Sequence, residues 1–318
     1  MLQIQSHQIE QVLNYPALIH TLRTAFQANY TVPQRHHHDF NNPFAQKAST
    51  LLLMPAWDEG QYFGVKLATV SPENSQLNLP AINGVYLLFD TQTGAPIAQI
   101  EAKTLTTYRT AAASALAATY LAAPNSQTLL MMGTGAMAPQ LIRAHAAVRP
   151  IERVFVWGRR KEKAMALVQT LSKQYPWTLE VVDDLAQAIP QADIISCATL
   201  SETPILQGKY LRPGQHIDLV GSYKPNMREA DDALVQKARV FLDTREGASR
   251  ESGDIALPLQ SGLLTTDDLL ADLFDLCRGK HPGRQRERDI TLFKSVGHAL
   301  EDLAAAKLVY SRINHSEL

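Results

Sequence analysis

The chain has 318 residues, 45% of them apolar and 19% charged, with a formal net charge of −1. That length favours two cores over one, and the near-neutral charge argues against a general binder of nucleic acid or anionic membranes. Only two cysteines are present, Cys197 and Cys277, without metal-ligand spacing, so the expectation is reduced thiols and no disulfide framework.

The first ten residues lack the basic-then-apolar pattern of a leader. The alanine-rich stretch 111–123 is too short and too weakly apolar to span a bilayer. A soluble, cytoplasmic protein is therefore expected. Residues 16–29 space Leu18, Leu22, Ala25 and Phe26 on one helical face. Strand patterns follow over 50–55, 62–70 and 83–90. The last turns at Asp90–Gly94 and continues over 96–102, which predicts a hairpin. A helix rich in alanine is expected from Thr104 to Leu121, closed by Pro124, Asn125 and Ser126.

The apolar run 128–132 leads into Gly133–Ala138, which reads Gly-Thr-Gly-Ala-Met-Ala. This is a G-x-G-x-x-A fingerprint between a strand and a helix. Its glycines permit a tight turn and close approach to a pyrophosphate, and helix N-terminal N–H groups favour the phosphates. Strands are then expected at 153–157, 179–182, 193–199, 215–221 and 239–243, with helices at 161–173, near 185–189 and near 231–237. That alternation predicts a Rossmann-type, doubly wound parallel sheet. Beyond Gly253 the alternation stops, and a last helix over 293–309 has no strand after it. The expected organisation is a discontinuous α+β domain of residues 1–120 with 293–318, and a dinucleotide-binding domain of residues 121–292.

Where an NAD-binding domain keeps an acid at the end of its second strand, this chain reads Trp157-Gly158-Arg159-Arg160-Lys161. Cations without an acid suit a ribose 2′-phosphate, so NADPH is the expected cofactor, with NADH possible. Lys66 interrupts an apolar strand; buried, it would be a proton donor or acceptor with a lowered pKa, and on an edge it would face solvent. Arg109, opening the alanine-rich helix, and Arg35, beside His36–His38, are candidates for a substrate carboxylate or for surface ion pairs. Adjacent histidines alternate in direction along a strand, so they do not converge on a metal.

Several stretches together resemble the ornithine cyclodeaminase/mu-crystallin family. They are Gly64–Lys66, Gly84–Asp90, Leu105–Ser114, Gly133–Ala138, Val220–Ser222 with Arg228 and Glu229, Gly253-Asp254, and Ser295–Asp302. The resemblance implies a Rossmann domain, a second domain for dimerisation and substrate, a homodimer, and substrate bound between the domains. It implies Lys66 as the catalytic lysine and Arg35, Lys66 and Arg109 as substrate-binding residues. Asn83, Arg109, Gly133, Gly135, Ala136, Met137, Arg159, Arg160, Thr199, Gly221 and Val296 match cofactor-binding positions.

The family's cyclodeaminases carry a catalytic aspartate where this chain has Tyr223, whose phenol cannot replace a carboxylate base at neutral pH. Its imine-reducing members show the Gly-Ser-aromatic-x-Pro-x-Met-Arg-Glu pattern that Gly221–Glu229 fits. The resemblance therefore implies an NAD(P)H-dependent reductase of cyclic ketimine carboxylates: Δ1-pyrroline-2-carboxylate to proline and Δ1-piperideine-2-carboxylate to pipecolate. Ornithine cyclodeaminase, an alanine-dehydrogenase-like enzyme and a non-catalytic NADP-dependent ligand-binding protein stand as alternatives.

Overall fold

In the computed structural model, which describes residues 1–77 and 79–314, the apolar alternation of residues 49–101 forms a mostly antiparallel sheet. The N-terminal elements are β1 (Leu2–Ile4), α1 (Ser6–Val12), α2 (Tyr15–Gln27), β2 (Tyr30–Thr31) and β3 (His36–Phe40). Then come β4 (Ser49–Asp58), β5 (Tyr62–Val70), β6 (Ile82–Asp90), β7 (Pro96–Glu101) and α3 (Ala102–Leu121). The strand order is β1-β7-β6-β5-β4-β2, with β3 also on β4 and β1 parallel to β7. Because strand side chains alternate, Gly64, Lys66, Ala68 and Val70 of β5 share the buried face, and Val65 and Leu67 lie half-buried on the other. The α2 helix is capped by Asn14, whose side chain accepts from Ala17 N at 3.0 Å. It buries Leu18, Leu22, Ala25 and Phe26, the two leucines and the phenylalanine each worth at most about 1.5–3 kcal/mol.

The second sheet is built from β8 (Thr128–Met132), α4 (Met137–Ala146), β9 (Arg153–Trp157), α5 (Lys161–Ser172), β10 (Thr178–Val181) and α6 (Leu185–Ala188). It continues through β11 (Ile194–Cys197), β12 (His216–Leu219), α7 (Asp232–Lys237), β13 (Arg239–Leu242), α8 (Arg245–Glu251) and α9 (Gly253–Gln260). Last are β14 (Leu269–Asp272), α10 (Leu273–Cys277) and β15 (Thr291–Lys294). The order is β10-β9-β8-β11-β12-β15-β13-β14, and every pairing is parallel. The chain direction across the sheet reverses at β8 and β11, the kind of switch point where open α/β sheets bind ligands.

By contact, the chain divides into Met1–Thr110 with His298–Leu318, and Ala111–Gly297. The C-terminal helix α11 (Ala299–Asn314) belongs to the first unit and packs on α2 and on β4, β5 and β6. Residues 315–318 of the expected C-terminal segment lie outside the described residues. No helix among the described residues is long and apolar enough to cross a membrane.

Two expectations at the C-terminal end are corrected. The alternation does not stop at Gly253, because β14 and β15 complete the parallel sheet. The last helix does not begin at Phe293, which is strand, but after Gly297, whose φ of +84° breaks the chain direction. A four-residue run such as Thr291–Lys294 has no diagnostic period. Its place between β12 and β13 is a tertiary choice.

Candidate functional site

Lys66 lies on the face of β5 covered by α11, where it is buried. Its Nζ is 2.7 Å from Asp302 Oδ2. The other oxygen of Asp302 accepts from Arg109 Nε at 2.8 Å, and Arg109 Nη1 donates to Glu301 Oε2 at 2.7 Å. One carboxylate from the first turn of α11 thus bridges a strand lysine and a helix arginine. Burial lowers the Lys66 pKa to about 8, with Asp302 opposing and Arg109 and Arg35 assisting. Burial raises the Asp302 carboxyl, but the charges of Arg109 and Lys66 outweigh it and hold the pKa below the ordinary value. An ammonium of this kind keeps its proton at neutral pH and releases it within reach of physiological pH, as a general acid or base must.

Tyr86 faces Lys66 across the β5–β6 pair. Its buried hydroxyl makes no hydrogen bond among the described residues. A Cβ at Gly64 would lie 2.3 Å from that oxygen, so the tyrosine occupies the space a side chain at 64 would need. His298 sits at the entry to α11; burial, then the charge of Arg35, lowers its pKa to about 4, so the imidazole is neutral at pH 7.

In the second unit, three loops at the C-terminal edge of the sheet line a cleft: Gly133–Gly135, Trp157–Arg160 and Ala198–Ser201, with Lys163 of α5. Gly133 has φ +118°, and its N–H donates to Trp157 O at 2.9 Å. A Cβ there would lie 2.5 Å from Ala198 O, whereas one at Gly135 would meet open space. The first glycine therefore serves the turn and leaves the second as bare backbone facing the cleft. Ala136 is the N-cap of α4 and Met137 its first residue. The buried Ala138 sits one residue into that helix. Arg159, Arg160 and Lys163 are exposed along the cleft. Lys161 is instead drawn into an ion pair with Asp183. Bare glycine backbone at a helix start, with two arginines after the neighbouring strand and a lysine in the helix that follows, fits a nucleotide carrying several phosphates.

Of the residues expected from sequence, Lys66 and Arg109 come together through Asp302. Arg35, in the loop before β3, is half-buried, and its charge acts on Lys66, Asp302 and His298. Lys66 is not an edge residue, and both Arg109 contacts are buried ion pairs rather than surface ones. Gly133, Gly135, Arg159, Arg160 and Thr199 line the cleft. Gly221 follows β12, where a Cβ would lie 1.9 Å from Thr199 O; Val296 follows β15. Asn83 sits exposed in β6, its amide donating to Pro80 O at 3.2 Å. Tyr223 is half-buried, and burial raises its pKa, so it carries a neutral hydroxyl. Sequence reasoning assigned no role to Glu301, Asp302 or Lys163. The first two had a signal: adjacent acids inside the apolar helical run 299–306, where a solvated face would not put both.

The family model described as ornithine cyclodeaminase/mu-crystallin family matches residues 1–317. A Paracoccus denitrificans protein named Delta(1)-pyrroline-2-carboxylate reductase is 41% identical over 287 residues, covering 90% of each chain. Among solved structures, the Thermococcus litoralis Delta(1)-pyrroline-2-carboxylate reductase in complex with NADH and L-proline superposes with a TM-score of 0.94 at 31% identity. It covers 100% of this chain and 99% of its own. An archaeal alanine dehydrogenase dimer with bound NAD gives a TM-score of 0.92 at 26% identity, covering 100% and 97%.

Proposed function

The chain belongs to the ornithine cyclodeaminase/mu-crystallin family, and from that premise we propose that it is an NAD(P)H-dependent reductase of cyclic ketimine carboxylates. Its substrates are Δ1-pyrroline-2-carboxylate and Δ1-piperideine-2-carboxylate, and its products proline and pipecolate. The supporting relatives are the reductases from Paracoccus denitrificans and Thermococcus litoralis, the second of them bound to NADH and L-proline. The observation that carries the reading is the buried bridge of Asp302 between Lys66 and Arg109. It holds an acid with a pKa of about 8 in a fixed position.

A dihydronicotinamide, when bound, supplies the hydride. Lys66 Nζ donates its proton toward the imine nitrogen, which makes the adjacent carbon electron-poor enough to accept that hydride. Addition of one hydride and one proton converts the C=N bond to the amine, and Lys66 is left neutral until it regains a proton from water. Arg35 binds the substrate carboxylate. Arg109 fixes Asp302, and Asp302 fixes Lys66, so the acid is oriented before substrate arrives. The neutral Tyr223 hydroxyl takes no proton at pH 7, which disfavours cyclodeamination.

Gly133, Gly135, Ala136 and Met137 bind the pyrophosphate, and Thr199, Gly221 and Val296 the nicotinamide side. Arg159 and Arg160, joined by Lys163, select NADPH through its 2′-phosphate. Asn83 and Arg109 remain assigned to the cofactor by family resemblance. The unit containing Lys66 serves substrate and dimerisation. Its sheet presents Leu51, Leu53, Val65, Leu67, Val85 and Leu87 half-buried on the face away from α11. A second copy covers that face, as the description of the archaeal alanine dehydrogenase as a dimer supports. The direct test is spectrophotometric: oxidation of NADPH and of NADH with each cyclic imine. No oxidation with either imine, alongside ammonia release from ornithine, overturns the proposal.

A further inference from the structure

The loops after β11, β12 and β15 carry Thr199, Gly221 and Val296, and each is tied down by a buried carboxylate. Glu229 Oε1 accepts from Thr199 N at 2.7 Å and Thr199 Oγ1 at 2.9 Å. Its Oε2 accepts from Gly221 N at 2.7 Å and Ser222 N at 3.3 Å. Asp243 Oδ2 accepts from Val296 N and Gly297 N, both at 2.7 Å, and from Ser295 Oγ at 3.3 Å. Both carboxylates are fully buried.

Glu229 is itself anchored. Its own N–H and that of Ala230 donate to Asp254 Oδ1 at 2.8 and 3.0 Å. Lys294 Nζ stands 3.4 Å from Asp254 Oδ2 and 4.0 Å from Glu229 Oε2, balancing the buried charge. The four donors from Thr199, Gly221 and Ser222 point at its oxygens, so Glu229 acts as an acceptor on both. Buried charge is an expensive way to join two loops, since apolar packing would hold them at lower cost. What a carboxylate adds is geometry: loop N–H groups outside the strand ladders need acceptors, and one group accepting from two loops sets their spacing. Thr199 lines the cleft, and Gly221 packs against it too closely for any side chain.

We propose that Glu229 and Asp243 are positioning residues for the nicotinamide–ribose half of the bound nucleotide. They hold Thr199, Gly221 and Val296 in the arrangement that half requires, and the adenosine half is held independently by Gly133–Gly135 and Arg159. This rests on the proposed binding of a nicotinamide nucleotide in the cleft.

The test is a calorimetric titration of wild type, Glu229→Gln, Glu229→Asp and Asp243→Asn. Each is titrated with NADPH against 2′-phospho-ADP, and with NADH against ADP, the second of each pair lacking nicotinamide and its ribose. In Glu229→Gln an amide N–H₂ meets backbone donors. The whole dinucleotide should bind about tenfold or more weakly, with the truncated nucleotide within about twofold of wild type. Glu229→Asp keeps the charge and should recover part of the loss, and Asp243→Asn should show the same selectivity as Glu229→Gln. Equal loss for both ligands, or no loss for either, overturns the proposal. If Glu229→Gln does not fold, the other two variants are judged by the same criterion. A wild-type protein that binds none of the four nucleotides overturns the cofactor reading and this inference with it, a result distinct from selective failure in the variants.

Discussion

Lys66 Nζ and Asp302 Oδ2 lie 2.7 Å apart, both buried, one on a sheet strand and the other in the first turn of the C-terminal helix. Asp302 raises the Lys66 pKa against the desolvation that lowers it to about 8. Replacing Asp302 by asparagine removes that support, so the Lys66 pKa should fall below about 8. The alkaline limb of the kcat profile should move to lower pH by about one unit or more. Breaking the pair should also cost about 3–5 kcal/mol of stability. Rate profiles and urea melts of Asp302→Asn check both, and an alkaline limb that stays in place would mean another group is the acid.

Removing Lys66 itself should separate chemistry from cofactor binding. Lys66→Met should lower kcat by roughly 10²-fold or more, the usual scale for a general acid. NADPH affinity should change by less than about twofold.

The same variant tests the pH dependence of folding. The folded pKa of Lys66, about 8, lies below its ordinary value of 10.5, so between these limits the unfolded chain binds more protons than the native one. Stability attributable to Lys66 is therefore lowest below about pH 8 and rises toward pH 10.5, by up to about 3 kcal/mol. Subtracting the Lys66→Met denaturation profile from that of wild type should expose this rise, and a flat difference would refute the burial of the charge.

The cations of the cleft should act on one cofactor and not the other. Arg159→Ala, Arg160→Ala or Lys163→Ala should weaken NADPH about tenfold or more by losing a charge-assisted contact. NADH affinity should move little. Equal effects on both nucleotides would place these side chains on the shared pyrophosphate.

Gly64→Ala introduces a Cβ 2.3 Å from the Tyr86 hydroxyl. Overpacking of this kind should cost about 1–3 kcal/mol. Adding Tyr86→Phe removes the nearest atom and should restore part of the melting temperature, which a double-mutant cycle can read.

Much of the fold is legible in the sequence alone. The period-two run of β5 was read at its observed limits, Tyr62–Val70, and β9 at Arg153–Trp157. Repeated βα units led to the parallel sheet. The misses include the strands β1, β2, β14 and β15, of two to four residues and without a readable period, the short helices α1, α8, α9 and α10, and the exposed strand His36–Phe40. In the site, Lys66 stood out as a cation in an apolar strand, and the glycines by their spacing. Asp302 carries only the signal of an acid inside an apolar helical run, and its role stays hidden because its partners come from other segments of the chain.

By itself the sequence determined what depends on near neighbours. Side-chain period sets helix or strand, two glycines at a strand end permit a phosphate-binding turn, and missing acids with added arginines bias which nucleotide fits. Only the tertiary structure decided that Lys66 is buried, that Asp302 is its counter-charge, and that β15 lies between β12 and β13. Those outcomes depend on which surfaces are removed from water together, and desolvation and ion pairing belong to the packed assembly of distant segments rather than to any one of them.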